Sequence, residues 1–225
     1  MIEERVFRGG QYAAEVEAPE TYRARRKKLQ GNLDQGGVAL LLGATDVRGY
    51  GDVGTFRQDP SFLYLTGVEL PGAALLLEKE HETLLLPARK PNLEAWTGPK
   101  YGPGEEAAKE LGFEAVLDRD YSEVVVDARR RPVPSLIDRV ADGVREGGTL
   151  WVPLPSGTLG EPSPEQRLVQ ILRDRLPSFT VRDLSPVLAE MRLRKGPGEI
   201  ELMRRAIVAT IAAMGAAATR VRPGT

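Results

Sequence analysis

Val38 to Leu42 is a short, wholly apolar run bounded by glycines, the mark of a strand buried on both faces. Such a strand needs cover on two sides, and a sheet held between layers of helix supplies it. Thr83 to Leu86 is a further apolar strand, ending at Pro87 and preceded by the charged turn Glu78-Lys79-Glu80-His81-Glu82. Between these runs lies Phe56 to Gly67, followed by the apolar stretch Ala73 to Leu77. A polar turn at Pro60 feeds residues rich in aromatic and aliphatic side chains, Gly67 interrupts them, and Pro71-Gly72 turns the chain. The expectation is a buried hairpin at the centre of the sheet.

Helical patterns alternate with the strands. Thr21 to Leu33 places Tyr22, Leu29 and Leu33 on one face and Arg23, Arg25, Arg26, Lys27 and Lys28 on the other, which reads as a solvated basic face. Glu105 to Leu111 forms a short helix stopped by Gly112, and Glu114 to Leu117 returns as a strand. Leu136 to Val144 is helical, and Thr149 to Val152 is a strand carrying Trp151. Ser163-Pro164-Glu165-Gln166 has the N-cap, first-turn proline and returning glutamine of a helix start, and Leu168, Ile171, Leu172 and Leu176 follow at helical spacing. Phe179 to Val181 adds a strand, and Ser185-Pro186 opens a helix through Met191. The alternation specifies an α/β layer fold, and the central hairpin makes its sheet mixed rather than parallel. Beyond Pro197, an apolar stripe of Ile200, Met203, Ile207, Ile211 and Met214 runs to about Ala218 and needs a partner surface.

Chemistry-bearing residues are sparse. Thirty-one basic against thirty-two acidic residues leave no bulk field for nucleic acid or an anionic membrane. Without cysteine there is no disulfide framework, thiolate metal site or cysteine nucleophile, and a reducing cytoplasm is the economical expectation. Met1 to Gly10 lacks an apolar core of signal-peptide length. Gly49-Tyr50-Gly51-Asp52-Val53-Gly54 spells a dinucleotide fingerprint, but neither a strand directly before it nor a helix directly after it is in place. His81, the only histidine, sits in a charged turn with no helical partner and reads as solvated. Asp118 and Asp120 flank Arg119 in what reads as a polar turn and are not expected to share a metal or a proton. Trp96 to Gly104 is a glycine and proline loop that presents Trp96 and Tyr101.

Two stretches carry a family resemblance. Arg57-Gln58-Asp59-Pro60-Ser61-Phe62-Leu63-Tyr64-Leu65-Thr66-Gly67 resembles a segment of the N-terminal domain of Xaa-Pro aminopeptidases and prolidases, the creatinase-like metallopeptidases. Met191-Arg192-Leu193-Arg194-Lys195-Gly196-Pro197-Gly198-Glu199-Ile200 looks like the junction that opens their catalytic domain, and Arg222-Pro223-Gly224-Thr225 looks like the motif after its first helix.

The resemblance implies a three-layer α/β/α domain with a mixed central sheet, ribonuclease-H-like, over residues 1–186, then the junction and first helix of a catalytic domain over 187–225. It implies a parent enzyme that releases the N-terminal residue before proline with two divalent metals, commonly manganese. The family's two aspartates, one histidine and two glutamates have no matching positions before Thr225. The chain itself is therefore expected to hold no catalytic residue, metal ligand or cofactor, and to be inactive alone. The implied partners are its own catalytic domain, further copies in a dimer or tetramer, and a proline-containing peptide, with no nucleic acid and no membrane. Trp96, with Tyr101 in the same loop, is implied to line the substrate cleft or contact a neighbouring subunit. A prolidase, and a stand-alone peptide- or protein-binding module of the same fold, are the alternatives.

Overall fold

The computed structural model describes residues 17–34, 37–45, 56–119, 136–154 and 162–222. The glycine pattern at Gly49 to Gly54, Asp120 and the Pro223 to Thr225 end of the last motif lie outside the described residues. Six strands form one sheet: β1 (Gly37–Leu42), β2 (Ala74–Leu77), β3 (Glu82–Leu86), β4 (Ala115–Asp118), β5 (Thr149–Val152) and β6 (Thr180–Asp183). Their spatial order is β4-β3-β2-β1-β5-β6. β2 is antiparallel to both neighbours, while the β3–β4, β1–β5 and β5–β6 pairs are parallel, so the sheet is mixed as expected.

Side-chain alternation divides the interior in two. Ala39, Leu41, Leu75, Leu77, Leu84, Leu86 and Val116 face one side. Helices α1 (Pro19–Gln30), α2 (Pro60–Thr66), α4 (Glu105–Leu111) and α7 (Ser185–Leu193) cover that side through Leu29, Phe62, Leu65, Ala107, Leu188 and Met191. Val38, Leu40, Ala74, Leu76, Leu85, Leu150 and Val152 face the other side, under α5 (Leu136–Gly143) and α6 (Pro164–Arg175). A wholly apolar strand such as β1 thus finds a separate core on each face.

The hairpin expected from Phe56 to Leu77 is corrected. Its second half is β2, but Pro60–Thr66 is helix α2. Asp59 caps that helix, accepting from the amides of Ser61 at 2.9 Å and Phe62 at 2.8 Å. Pro60 occupies the first turn, where its missing N–H costs nothing. Gly67 ends the helix at φ 67°, where a β-carbon would also lie 2.6 Å from the Tyr22 ring. Phe62, Leu65 and Thr66, at helical spacing, are the buried face. The antiparallel partner of β2 on the far side is instead β3, across the turn at Lys79 and Glu80.

The solvated basic face of α1 is likewise corrected. Arg23, Lys27 and Lys28 are exposed, but Arg25 and Arg26 are buried. Arg26 donates from Nε to Glu82 Oε2 at 2.7 Å and from Nη2 to Oε1 at 3.1 Å. It also donates to the carbonyls of Leu65 at 3.1 Å and Gly112 at 2.6 Å, with its guanidinium 3.8 Å from the centre of the Phe113 ring. One side chain therefore ties α1 to β3, to the end of α2 and to the turn after α4. Gln58 does similar work nearby. Its side-chain oxygen accepts from the amides of Ala44 at 2.6 Å and Asp59 at 2.9 Å, and its nitrogen donates to the carbonyls of Val68 and Leu70.

His81 stands in the β2–β3 turn, exposed, with Nδ1 2.8 Å from Glu114 Oε1. The Glu114 hydrogen bond pushes the His81 pKa above its ordinary value of 6.5, and the same bond holds the Glu114 carboxyl below its ordinary 4.5. A raised histidine pKa contributes stability that is complete below 6.5 and is lost as pH rises through the folded value; the depressed carboxylate contribution is lost on acidification below 4.5. The stability difference between the native chain and His81→Ala is therefore expected to be largest between about pH 4.5 and 6.5 and to shrink on either side. Denaturant midpoints at a series of pH values measure it, and a difference independent of pH would refute the pairing.

Candidate functional site

Beyond β3 the chain leaves the sheet through Arg89 and enters α3 (Pro91–Thr97). Trp96 is therefore on the last turn of a short helix, not on the expected loop. The loop begins at Gly98 and runs to Gly104, where α4 starts. Tyr101 is half-buried and packs against the core that contains Leu84 and Leu86. It also lines a cleft of about 300 Å³ together with Thr45, Leu70, Arg89, Glu94 and Lys100. Glu94 reaches that cleft from α3, and Trp96 follows it by two residues on the same helix.

The electrostatics of this rim are set by Arg89 and Glu94. The guanidinium Nε donates to both carboxylate oxygens, at 3.0 and 3.2 Å, and Nη2 donates to Oε2. Hydrogen bonding from Arg89 holds the Glu94 carboxyl below its ordinary range. With Lys90 and Lys100 beside this pair, the cleft carries an excess of positive charge in a chain whose net charge is −1.

A second cleft, of about 620 Å³, opens where α1, α2 and α7 meet α8 (Pro197–Ala218). Arg25 is its centre. Its Nη2 lies 2.6 Å from Glu17 and 3.4 Å from Glu199, Nη1 donates to the Tyr64 carbonyl at 3.2 Å, and the guanidinium sits 4.2 Å over the Tyr64 ring. Tyr64 in turn donates its hydroxyl to the Met191 carbonyl at 3.0 Å, and Arg192 donates to the Ser61 hydroxyl at 3.1 Å. Burial pushes the Tyr64 phenol above its ordinary value. These bonds fasten the start of α8 to the domain. The rest of α8 stands away from it: Met203, Ile207, Ile211 and Met214 are 50%, 54%, 64% and 69% exposed, and no residue of the helix is buried.

The two stretches quoted for their wording thus meet in space. Tyr64 and Ser61 of the first touch Met191 and Arg192 of the second, and Arg25 bridges to Glu199. Sequence reasoning missed Arg25, Arg26 and Gln58 as anchoring residues. The available signal was the helical spacing that puts Arg26 on the same face as Tyr22 and Leu29. Among the described residues no cluster of three or more histidine, aspartate or glutamate side chains could hold a metal ion, and a dinuclear metal centre does not fit them. Among the described residues no helix is long and apolar enough to cross a membrane.

Comparison with known proteins agrees with this geometry. The family described as aminopeptidase P, N-terminal domain, matches residues 22–130. The chain is 31% identical over 204 residues to the mitochondrial intermediate cleaving peptidase 55 of Arabidopsis thaliana, covering 87% of this chain and 36% of the relative. It is 30% identical to the Xaa-Pro aminopeptidase of Haemophilus influenzae and 29% identical to that of Escherichia coli, covering 40% and 45% of those proteins and 83% and 91% of this chain. Among solved structures, a variant of Escherichia coli aminopeptidase P superimposes with a TM-score of 0.73 at 26% identity, over 94% of this chain and 47% of that one. Proline aminopeptidase P II from Yersinia pestis shares the fold with a TM-score of 0.72 at 24% identity, over 93% of this chain and 47% of that one. The chain spans less than half the length of these relatives. Residues 22–130 match the aminopeptidase P N-terminal domain, and over most of its length the chain is similar to the N-terminal region of Xaa-Pro aminopeptidases.

Proposed function

We propose that the chain is the assembly and cleft-lining part of a cytoplasmic Xaa-Pro aminopeptidase, an enzyme that releases the residue preceding proline. In this reading residues 1–186 are the N-terminal domain, and residues 187–225 are the junction and the first helix of a catalytic domain. The observation that carries it is α8: its root is fixed by Arg25, while the apolar stripe from Met203 to Met214 is left uncovered. A long exposed stripe calls for a partner surface, and the Xaa-Pro aminopeptidases similar to this chain are more than twice the length of their match to it.

Chemistry in this reading resides outside the chain, in two divalent metal ions, manganese by family habit, which would acidify a bridging water and stabilise the oxyanion. No catalytic step is assigned to residues before Thr225. Their part is binding: Trp96 and Tyr101, at the outer end of β3 and α3, would meet the substrate cleft of a second copy in a homo-oligomer. The absence of cysteine suits a reducing compartment.

The test compares the 225-residue chain with the full product of its reading frame, assayed for release of the first residue from Xaa-Pro peptides with added Mn²⁺. The longer product is expected to turn over and the 225-residue chain to give no release above background. Turnover by the shorter chain, or none by the longer, would overturn the proposal.

A further inference from the structure

Three consecutive segments, the exit from β3, helix α3 and the loop into α4, are joined at Arg89. On one side its guanidinium grips the Glu94 carboxylate with Nε and Nη2, both oxygens being engaged. The Glu94 side chain is only 8% exposed, against 53% for Arg89, so the pair is seated on its carboxylate end. On the other side the backbone of Gly102 lies directly on the arginine stem. A β-carbon at position 102 would stand 2.5 Å from Arg89 Cγ and 2.6 Å from Cδ, closer than any side chain tolerates. The loop beyond is anchored through Tyr101, which packs on the core.

Helix α3 is short and lacks a side-chain cap: it is seven residues long, and Lys90 at its N-cap makes no side-chain capping bond. Two turns of helix are marginal without tertiary support. A bidentate arginine–carboxylate pair adds geometric specificity as well as attraction. Because the arginine is half exposed, the pair is weak as a source of global stability, and its effect is local order.

We propose that Arg89 and Glu94, seated under Gly102, form a positioning clamp that sets the direction in which α3 presents Trp96 to a second copy of the chain. The inference rests on the cleft-lining role of Trp96 proposed above. Neither arginine nor glutamate touches the substrate; both act through Trp96. Lysine in place of Arg89 keeps the charge but not the two-pronged grip, so it rescues only part of the order. Alanine at Gly102 breaks the clamp by steric pressure while leaving both charges in place.

Two measurements test this. In the 225-residue chain, amide hydrogen exchange over residues 91–104 is expected to quicken about fivefold in Arg89→Ala and in Gly102→Ala, and less in Arg89→Lys, while β1 and α1 keep native protection. Unchanged exchange in both alanine variants overturns the clamp. In the full-length gene product, Arg89→Ala is expected to raise KM for Xaa-Pro peptides about fivefold with kcat retained, as Trp96→Ala does, because both remove binding shared by ground and transition states. If Trp96→Ala raises KM and Arg89→Ala does not, the clamp falls and the role of Trp96 stands. If Arg89→Ala loosens residues 91–104 while Trp96→Ala leaves KM unchanged, the cleft-lining role falls and the proposal falls with it, although the local tie is real.

Discussion

Arg26→Ala is expected to lower the unfolding free energy by about 3–5 kcal/mol, a third or more of the stability of an ordinary domain. Two effects add. Glu82, also buried, is left as a carboxylate without its counter-ion, and the carbonyls of Leu65 and Gly112 lose a charged donor. The ring of Phe113 loses the guanidinium it packs against. Urea denaturation of the two proteins gives the number directly. The double variant Arg26→Met, Glu82→Leu separates the causes: it buries no charge, so it should recover more than half of the loss, with the deficit reporting the orphaned carbonyls. A single variant within about 1 kcal/mol of the parent would mean that Arg26 does not hold the three elements together.

Phe62→Ala carries the second large effect, about 3–5 kcal/mol. Phe62 is fully buried and belongs to the core shared by α1, β1 and β2. Leu29, Leu41 and Leu65 belong to the same buried cluster, and removal of the ring leaves a cavity that partial collapse does not fill. The denaturant midpoint should fall with an unchanged slope. A loss below about 1 kcal/mol would place Phe62 on a surface and remove the physical reason for the aromatic in this stretch. Tyr64, two residues on, makes a useful contrast. It is half-buried at the junction with α7, so its replacement bears on how α8 is rooted rather than on the core.

These two residues also mark how far the sequence could be read. The apolar strands β1, β2 and β3 were legible because each places apolar side chains on both faces, and no other short element does that. The capping box at Ser163 and the stop at Gly112 were legible because the cap chemistry is local. The stretch around Phe62 was misread from its aromatic content, which overrode its own punctuation. Asp59-Pro60 is a helix start and Gly67 a helix stop, and Phe62, Leu65 and Thr66 keep helical spacing. Arg26 was placed on a wet face because its partner comes from Glu82, far along the chain, and no local pattern encodes that pairing. The clamp at Arg89 was invisible for a related reason: the short spacing to Glu94 is an ordinary charge pair until Gly102 is seen to pass over it. The resemblance to the aminopeptidase P N-terminal domain was legible from two short stretches far apart in sequence, and the fold brings those two together. They are in contact.

The position of β5 sets the largest chain-entropy cost of closing the sheet. Of the five strand pairings, the one that joins Gly37 to Thr149 spans the widest separation in sequence, and closing it costs the most conformational freedom. Everything that covers the second face of the sheet comes with that closure: Leu150 and Val152 on the strand itself, and the helices α5 and α6 on either side of it. A chain cut where the family match ends, at residue 130, would keep four strands but leave β1 with an open edge and Val38 and Leu40 facing water. The sheet is complete only at Asp183, where β6 pairs with β5, well beyond the stretch that the family model matches.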